Sequence, residues 1–125
     1  MNYSIKFEQN EKHLYAIVSG ERNQGSTVND TLDALAEIDT YASKFGLSKI
    51  LIHWNLRGKT NRKYPLEVIS AIENVPISKS HKIAIIFADQ SAFKNNKVIE
   101  KLANVIGWKV KFFTREEQAQ EWLLD

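Results

Sequence analysis

Two nearly continuous apolar runs constrain the fold of this chain more than any other feature of its sequence. They cover residues 49–56 (Lys-Ile-Leu-Ile-His-Trp-Asn-Leu) and residues 81–88 (His-Lys-Ile-Ala-Ile-Ile-Phe-Ala). Strands that are apolar on both sides are typical of the interior of a parallel sheet. Between the two runs, an amphipathic segment begins near Pro65, which suits the first turn of a helix, and stops before Pro76. The pattern predicts an α/β protein.

The rest of the chain completes an alternation of strands and helices. Alternating polar and apolar residues predict an N-terminal hairpin with strands at 2–8 and 12–19, followed by a polar loop at 20–26. A last strand is predicted at 107–113. Apolar residues recur at helical steps of three and four in four segments: 28–45, 65–75, 92–106 and 114–124. The expected order is β-β-α-β-α-β-α-β-α in a single domain of residues 1–125.

The last two helices carry more detailed expectations. Ser91 is the expected N-cap of the third helix. Four apolar residues of that segment are expected to face the sheet: Val98, Leu102, Val105 and Ile106. Thr114 and Glu117 have the spacing of a capping box, so the fourth helix should begin at Thr114. Trp122 of this helix is expected to press onto the sheet.

The alternation of side chains along the strands divides the predicted sheet into two unequal faces. The first face is wholly apolar and includes Val18, Ile52, Trp54 and Phe87. The second face mixes apolar residues with histidine, asparagine and lysine. We therefore expect about four helices mainly on the first face, and a half-apolar second face that is open to solvent or to a partner. The residues predicted to form such an interface are Tyr15, Ile17, Ile86 and Phe113.

Composition excludes several classes of function. The chain has no cysteine, so disulfides, thiolate catalysis and cysteine-ligated zinc are excluded. A formal net charge of +2 gives nucleic acid no general attraction, and no nucleic-acid partner is expected. No stretch approaches the ~20 apolar residues that span a bilayer, so no transmembrane segment is expected. The N-terminal residues lack the apolar block of a secretory signal, which favours a cytoplasmic location.

The loop after the first apolar run has the densest charge in the sequence. It contains Arg57, Lys59, Arg62 and Lys63, and Tyr64 follows it at the start of the predicted helix. Four cations near a helix N-terminus, with its partial positive charge, predict a site for an anion or an anionic ligand. The alternative interpretation is a solvated loop whose charges are screened by salt within about 10 Å.

Histidine and the strand ends supply the remaining candidates. His53 lies in an interior strand and is either a ligand contact on the second face or an ordinary, partly buried histidine. His13, His53 and His81 have no metal-ligand spacing, and no metal or other cofactor is expected. Asp89 ends the second apolar run at the end of the sheet where the basic loop is expected. No nucleophile elbow or phosphate-binding glycine motif is present, so an enzyme is the least supported class.

The closing segment resembles a known family. Residues 109–123, Lys-Val-Lys-Phe-Phe-Thr-Arg-Glu-Glu-Gln-Ala-Gln-Glu-Trp-Leu, together with the order of the elements, look like the SpoIIAA-like, or STAS-like, proteins of bacteria. The resemblance implies a mixed five-stranded sheet with an N-terminal hairpin and right-handed β-α turns. It also implies a protein-binding regulator, although related STAS/SEC14-like proteins are suspected of holding apolar ligands.

One family motif is missing from this chain. Regulatory members carry a phosphorylatable Ser in an Asp-Ser-Ser-Gly-like motif after the third strand. Here the matching loop, residues 55–65, has Lys63, Tyr64 and Pro65 near that position, and Thr60 is only a nearby hydroxyl. Switching by phosphorylation of that motif is therefore not expected.

Three hypotheses about function follow. The first is a STAS-like domain that binds another protein or a second copy of itself, through the half-apolar face or an exposed helix. The alternative is a carrier or sensor of a small apolar or amphipathic, lipid-like molecule whose anionic head group contacts the basic loop. The third and least supported is an enzyme.

Overall fold

The computed structural model describes residues 3–23, 25 and 27–125, and the structural statements refer to these residues. The elements are β1 (Tyr3–Gln9), β2 (Leu14–Glu21), α1 (Thr27–Lys44), β3 (Lys49–Arg57), α2 (Tyr64–Ile72), β4 (Lys82–Phe87), α3 (Gln90–Val105), β5 (Lys109–Phe113) and α4 (Glu116–Leu124). This order confirms the predicted α/β alternation. Asn2 of the first predicted strand, and Gln24 and Ser26 of the predicted loop, lie outside the described residues.

The five strands form one mixed sheet in the order β1-β2-β3-β4-β5. β1 pairs with β2 antiparallel, as the predicted hairpin requires, and β2, β3, β4 and β5 run parallel to one another. The register places Val18 beside Trp54 and Trp54 beside Phe87. The carboxyl ends of the parallel strands therefore meet along one edge of the molecule, where the connecting loops begin.

Three helices cover the first face of the sheet. α1 packs Ala34, Ile38 and Ala42 against the apolar side chains of β2 and β3. α2 and α3 form an adjoining cluster that includes Val68 and Trp108. The apolar residues of this face supply most of the buried core, and three of the four helices lie on it. The expectation that the helices pack mainly on one face is confirmed.

The second face is not open in the way the sequence suggested. α4 lies across β3, β4 and β5 and buries an apolar cluster against Ala119 and Leu123, both 0% exposed: Leu51, Ala84, Ile86 and Phe113. Ile86 and Phe113, predicted as interface residues, are therefore covered by the protein's own helix. Of the other two, Tyr15 is half-buried and Ile17 is 36% exposed. α4 therefore covers most of the apolar residues of this face but not Ile17.

Both predicted helix caps are wrong. α4 begins at Glu116, and its N-cap, Arg115, has an extended backbone and no capping side-chain bond. Instead of forming a capping box with Thr114, Glu117 accepts a hydrogen bond from Arg115 Nε at 3.1 Å. At α3 the N-cap is Asp89, not Ser91, because the Asp89 carboxylate accepts a hydrogen bond from the Ala92 amide at 2.8 Å. Trp122, as expected, contacts the core on the second face.

α3 also faces the sheet with a different side from the predicted one. Val98 is 42% and Val105 is 80% exposed, although both were expected to face inward. The helix is turned so that Glu100 Oε2 accepts a hydrogen bond from the Phe112 amide at 2.5 Å and Asn104 Nδ2 donates one to the Val110 carbonyl at 2.8 Å. These two bonds fix α3 to β5 and leave the two valines outside.

Candidate functional site

A cleft of about 680 Å³ opens at the carboxyl ends of β3 and β4, between the loop 57–63 and the first turn of α3. Ligands of open α/β sheets bind outside the carboxyl ends of the strands, and sites for small molecules have about this size. Four basic residues line the cleft: Arg22, Arg57, Lys59 and Arg62. We call this feature the basic cleft.

The charge of the basic cleft is predominantly positive. Among the described residues that line it, Asp89 alone is acidic, and its carboxylate already caps the first turn of α3. Arg57 lies 3.8 Å from Glu21, but both side chains are 80% exposed, and such pairs contribute little. The guanidinium of Arg57 therefore stays available, and the cleft as a whole favours an anion.

Arg22 is held in place by contacts at the end of β2. Its Nη1 donates hydrogen bonds to Thr31 Oγ1 and to the Tyr64 hydroxyl, each at 3.3 Å, and the guanidinium lies 4.9 Å from the centre of the Tyr64 ring. Gly58 makes the approach of the two strand ends feasible: its φ is +123°, and a Cβ there would lie 3.0 Å from the Arg22 Cβ. Arg22 is thus a preorganised cation, since its geometry does not depend on a ligand.

An apolar cavity of about 80 Å³ lies beneath the basic cleft, between the first face of the sheet and the three helices that cover it. Trp54, Phe87 and Asn96 belong to the walls of both spaces. The cavity also touches Asp39, but this carboxylate accepts hydrogen bonds from His81 Nδ1 at 2.6 Å and the Ser78 amide at 3.1 Å. The cavity is therefore apolar in effect and adjoins the basic cleft at these three shared residues.

The structure brings together only part of the predicted ligand site. Arg57, Lys59 and Arg62 line the basic cleft, and Asp89 and Ser91 lie in its opposite wall. Lys63 is exposed and lines neither the cleft nor the cavity. The Tyr64 side chain is only 3% exposed, with its hydroxyl 2.7 Å from Thr31 Oγ1, so it supports the site from behind.

His53 does not belong to this site. It lies on the second face, where its Nε2 is 2.7 Å from Glu116 Oε1. Gln120 Nε2 donates hydrogen bonds to Glu116 Oε2 and to the Tyr15 hydroxyl, each at 3.2 Å. The chain from His53 to Tyr15 ties α4 to the sheet, and its side of the sheet faces away from the basic cleft. His53 lies on the second face, as the alternation of side chains predicted, and the structure gives it an ordinary hydrogen-bond partner there.

Sequence reasoning missed Arg22, and it missed Asn95 and Asn96 of α3. A usable signal existed for Arg22. Once β2 and β3 are taken as parallel neighbours, their carboxyl ends coincide, and the register places Glu21 beside Arg57. The residue after Glu21 then has to lie next to the basic loop.

Residues 3–23, 25 and 27–125 were also searched for a metal site and for a membrane-spanning helix. In this part of the chain, no three His, Asp or Glu side chains are grouped so that they could hold a metal ion. Among the helices described above, none combines the length and the apolarity needed to cross a membrane.

Comparison with known proteins places the fold. No protein-family profile and no curated protein matches the chain. A crystal structure of an uncharacterised protein of the DUF3478 family from Shewanella loihica PV-4, described as having a SpoIIAA-like fold, is similar over 98% of this chain and 94% of that one, with a TM-score of 0.52. This chain has a SpoIIAA-like fold. The sequence identity is 17%, so the SpoIIAA-like fold is what the similarity establishes.

Proposed function

We propose that this SpoIIAA-like protein is a binding domain for a small amphipathic molecule, with an anionic group in the basic cleft and an apolar end in the cavity beneath it. The observation that supports this most is the shared wall of the two spaces, formed by Trp54, Phe87 and Asn96. A ligand with one charged and one apolar end matches these two adjoining environments.

The anionic end is the better defined half of the proposed ligand. Three of the four lining cations are arginines, and a guanidinium binds the two oxygens of a carboxylate or phosphate at once. Arg22 is already oriented by Thr31 and Tyr64, so little side-chain entropy is lost when it binds. We therefore expect a carboxylate or phosphate head group.

The apolar end has to be short. An engineered cavity of about 150 Å³ holds one benzene molecule, and the cavity here has about half that volume. A chain of a few carbons fits without displacing a helix. A long lipid chain would require α2 and α3 to separate.

The hydrogen bonds of the nearby carboxylates favour binding over catalysis. The Asp89 carboxylate caps α3 and Asp39 is paired with His81, so both carboxylates at the two spaces have structural partners. The hypothesis of a protein partner on the second face loses support because Ile86 and Phe113 are 6% and 7% exposed. The hypothesis of a ligand on the first face is therefore better supported than that of a protein partner on the second face.

Native mass spectrometry of the purified protein, followed by calorimetric titration with alkyl phosphates of increasing chain length, tests the proposal. We expect affinity to rise by about fourfold for each of the first few methylene groups, from roughly 0.8 kcal/mol per buried methylene, and then to level off. Arg62→Glu should weaken hexyl phosphate binding by about tenfold or more, from the loss of a charge-assisted hydrogen bond.

Lys63→Glu is the matched control, because it makes the same charge change in the same loop but outside the basic cleft. It should leave the affinity nearly unchanged. Equal losses for both variants would mean that only general electrostatic attraction operates. An affinity that does not depend on the length of the alkyl chain would show that the cavity does not bind the ligand.

A further inference from the structure

The two edges of the sheet are protected very differently. At the β5 edge, Glu100 and Asn104 bond to the backbone of Phe112 and Val110, and Lys109 and Lys111 are exposed. β5 is also short, with five residues. Short length, lysine and covered backbone groups are the devices by which proteins keep an edge strand from pairing with another chain.

The β1 edge has an exposed lysine, Lys6, but lacks the other two devices. β1 has seven residues, and in the described part of the chain neither a strand nor a side chain bonds to its outer edge. Its outward backbone N–H and C=O groups are free to pair with another strand. Lys6 and Glu8 have no ion-pair partner among the described residues.

The charges on β1 are self-complementary in one register. A two-fold axis perpendicular to the sheet pairs two copies of β1 antiparallel and keeps corresponding faces on the same side. If the axis passes at Phe7, Lys6 of each copy lies opposite Glu8 of the other on the second face. If it passes at Lys6, two lysines face each other, which is unfavourable.

The same register brings together the aromatic rings that each copy has near β1 on the first face. Phe7 stacks on Tyr41 with ring centroids 4.0 Å apart, and Tyr41 contacts Phe45 at 4.9 Å. Phe45 is 46% exposed, so the row of rings is incompletely covered in a single copy. With the axis at Phe7, the two Phe7 rings become direct cross-strand neighbours, and aromatic pairs stabilise such positions.

We propose that a second copy of this chain pairs with the outer edge of β1, antiparallel and centred on Phe7, so that one continuous sheet runs through a two-fold dimer. The pairing uses the edge opposite to β5 and leaves the basic cleft outside the interface. It is therefore independent of ligand binding.

Sedimentation equilibrium of the full chain tests this, with mass compared to twice the 14.4 kDa of one copy. Lys6→Glu turns both opposite-charge pairs into like-charge pairs, and we expect it to weaken dimerisation by about tenfold or more. The double variant Lys6→Glu/Glu8→Lys restores both pairs with reversed polarity and should return the dimer affinity close to that of the wild type. Lys111→Glu, the same change at the β5 edge, should have no effect.

Each other result contradicts the proposal. A monomer throughout the accessible concentration range, or a dimer that Lys111→Glu weakens as much as Lys6→Glu, would remove the β1 edge as the interface. A double variant that stays as weak as Lys6→Glu would exclude the register centred on Phe7. If circular dichroism shows that the Lys6→Glu variant does not fold, the Glu8→Lys variant is used in its place. It also turns both opposite-charge pairs into like-charge pairs, so the same weakening of dimerisation is expected.

Discussion

The two faces of the sheet bury similar kinds of residue but leave different amounts of space. On the first face, three helices meet over the strands and leave an apolar cavity of about 80 Å³ that adjoins the basic cleft. On the second face, the single short helix α4 lies across β3, β4 and β5, and its Ala119 and Leu123 are fully buried.

This difference in packing suggests different roles for the two faces of the sheet. Three helices that start and end at different points cannot fill every position over a twisted sheet, so gaps arise where they meet. One helix laid across β3, β4 and β5 has no such junction. We infer that the second face stabilises the fold and that the first face has the room for a ligand.

The largest expected effect comes from truncating the anchor of α4. Leu123→Ala should lower the free energy of unfolding by about 3–4 kcal/mol, because the side chain is 0% exposed and its neighbours cannot fill the space. Leu35→Ala makes the same chemical change on the first face, at a half-buried residue that already borders the cavity. It should lower this free energy by only about 1–2 kcal/mol. Urea denaturation of both variants measures the difference, and equal losses would show that the two faces are packed alike.

The second face also contains a buried polar side chain without a hydrogen-bond partner in the described part of the chain. His13 is 2% exposed, and neither of its ring nitrogens has a hydrogen-bond partner among the described residues. Burial lowers the pKa of His13, and the neighbouring charges of Lys12 and Lys49 lower the pKa further. The unfolded chain therefore binds a proton at this residue near pH 6.5, whereas the folded protein binds it only at lower pH.

The sign of the resulting pH dependence follows directly. The stability from neutral His13 is fully present above about pH 6.5 and is lost as the pH falls from there towards the folded pKa, at up to about 1.4 kcal/mol per pH unit. Denaturation between about pH 7 and pH 5 should therefore show a steeper fall for the wild type than for His13→Gln, which cannot be protonated. Identical slopes would mean that His13 reaches solvent or a partner in the folded protein.

The architecture could be predicted from the sequence because it depends on repeating patterns. The apolar run at residues 49–56 became β3, Lys49–Arg57, and the run at 81–88 contains β4, Lys82–Phe87. The predictions of helix starts and of buried helix sides were wrong where a tertiary contact decides between local alternatives. The spacing of Thr114 and Glu117 fits a capping box, but α4 begins only at Glu116. In α3, the bonds from Glu100 and Asn104 to β5 determine which side faces inward.

The candidate site was predictable in its charge but not in its shape. The loop 57–63 stands out in the sequence by its cations, and three of them do line the basic cleft. Arg22 is distant in sequence and joins them only through the register of β2 and β3. The cavity depends on how well three helices fill the space between them, and no local pattern encodes that fit. The face of His53 followed from the alternation along its strand, but its partner, Glu116, did not, because α4 supplies that partner from a distant part of the sequence.

The smallest expected effect compares one hydroxyl group on each face. The Tyr64 hydroxyl is buried against Thr31 and Arg22, so Tyr64→Phe leaves two polar groups short of a partner and should lower the free energy of unfolding by about 1–2 kcal/mol. Tyr15 is half-buried and its hydroxyl accepts a hydrogen bond from Gln120, a contact that water can replace, so Tyr15→Phe should change this free energy by less than about 0.5 kcal/mol. Paired urea titrations resolve the difference. A larger loss for Tyr15→Phe would place the critical polar contacts on the second face and reverse the division of roles between the two sides of the sheet.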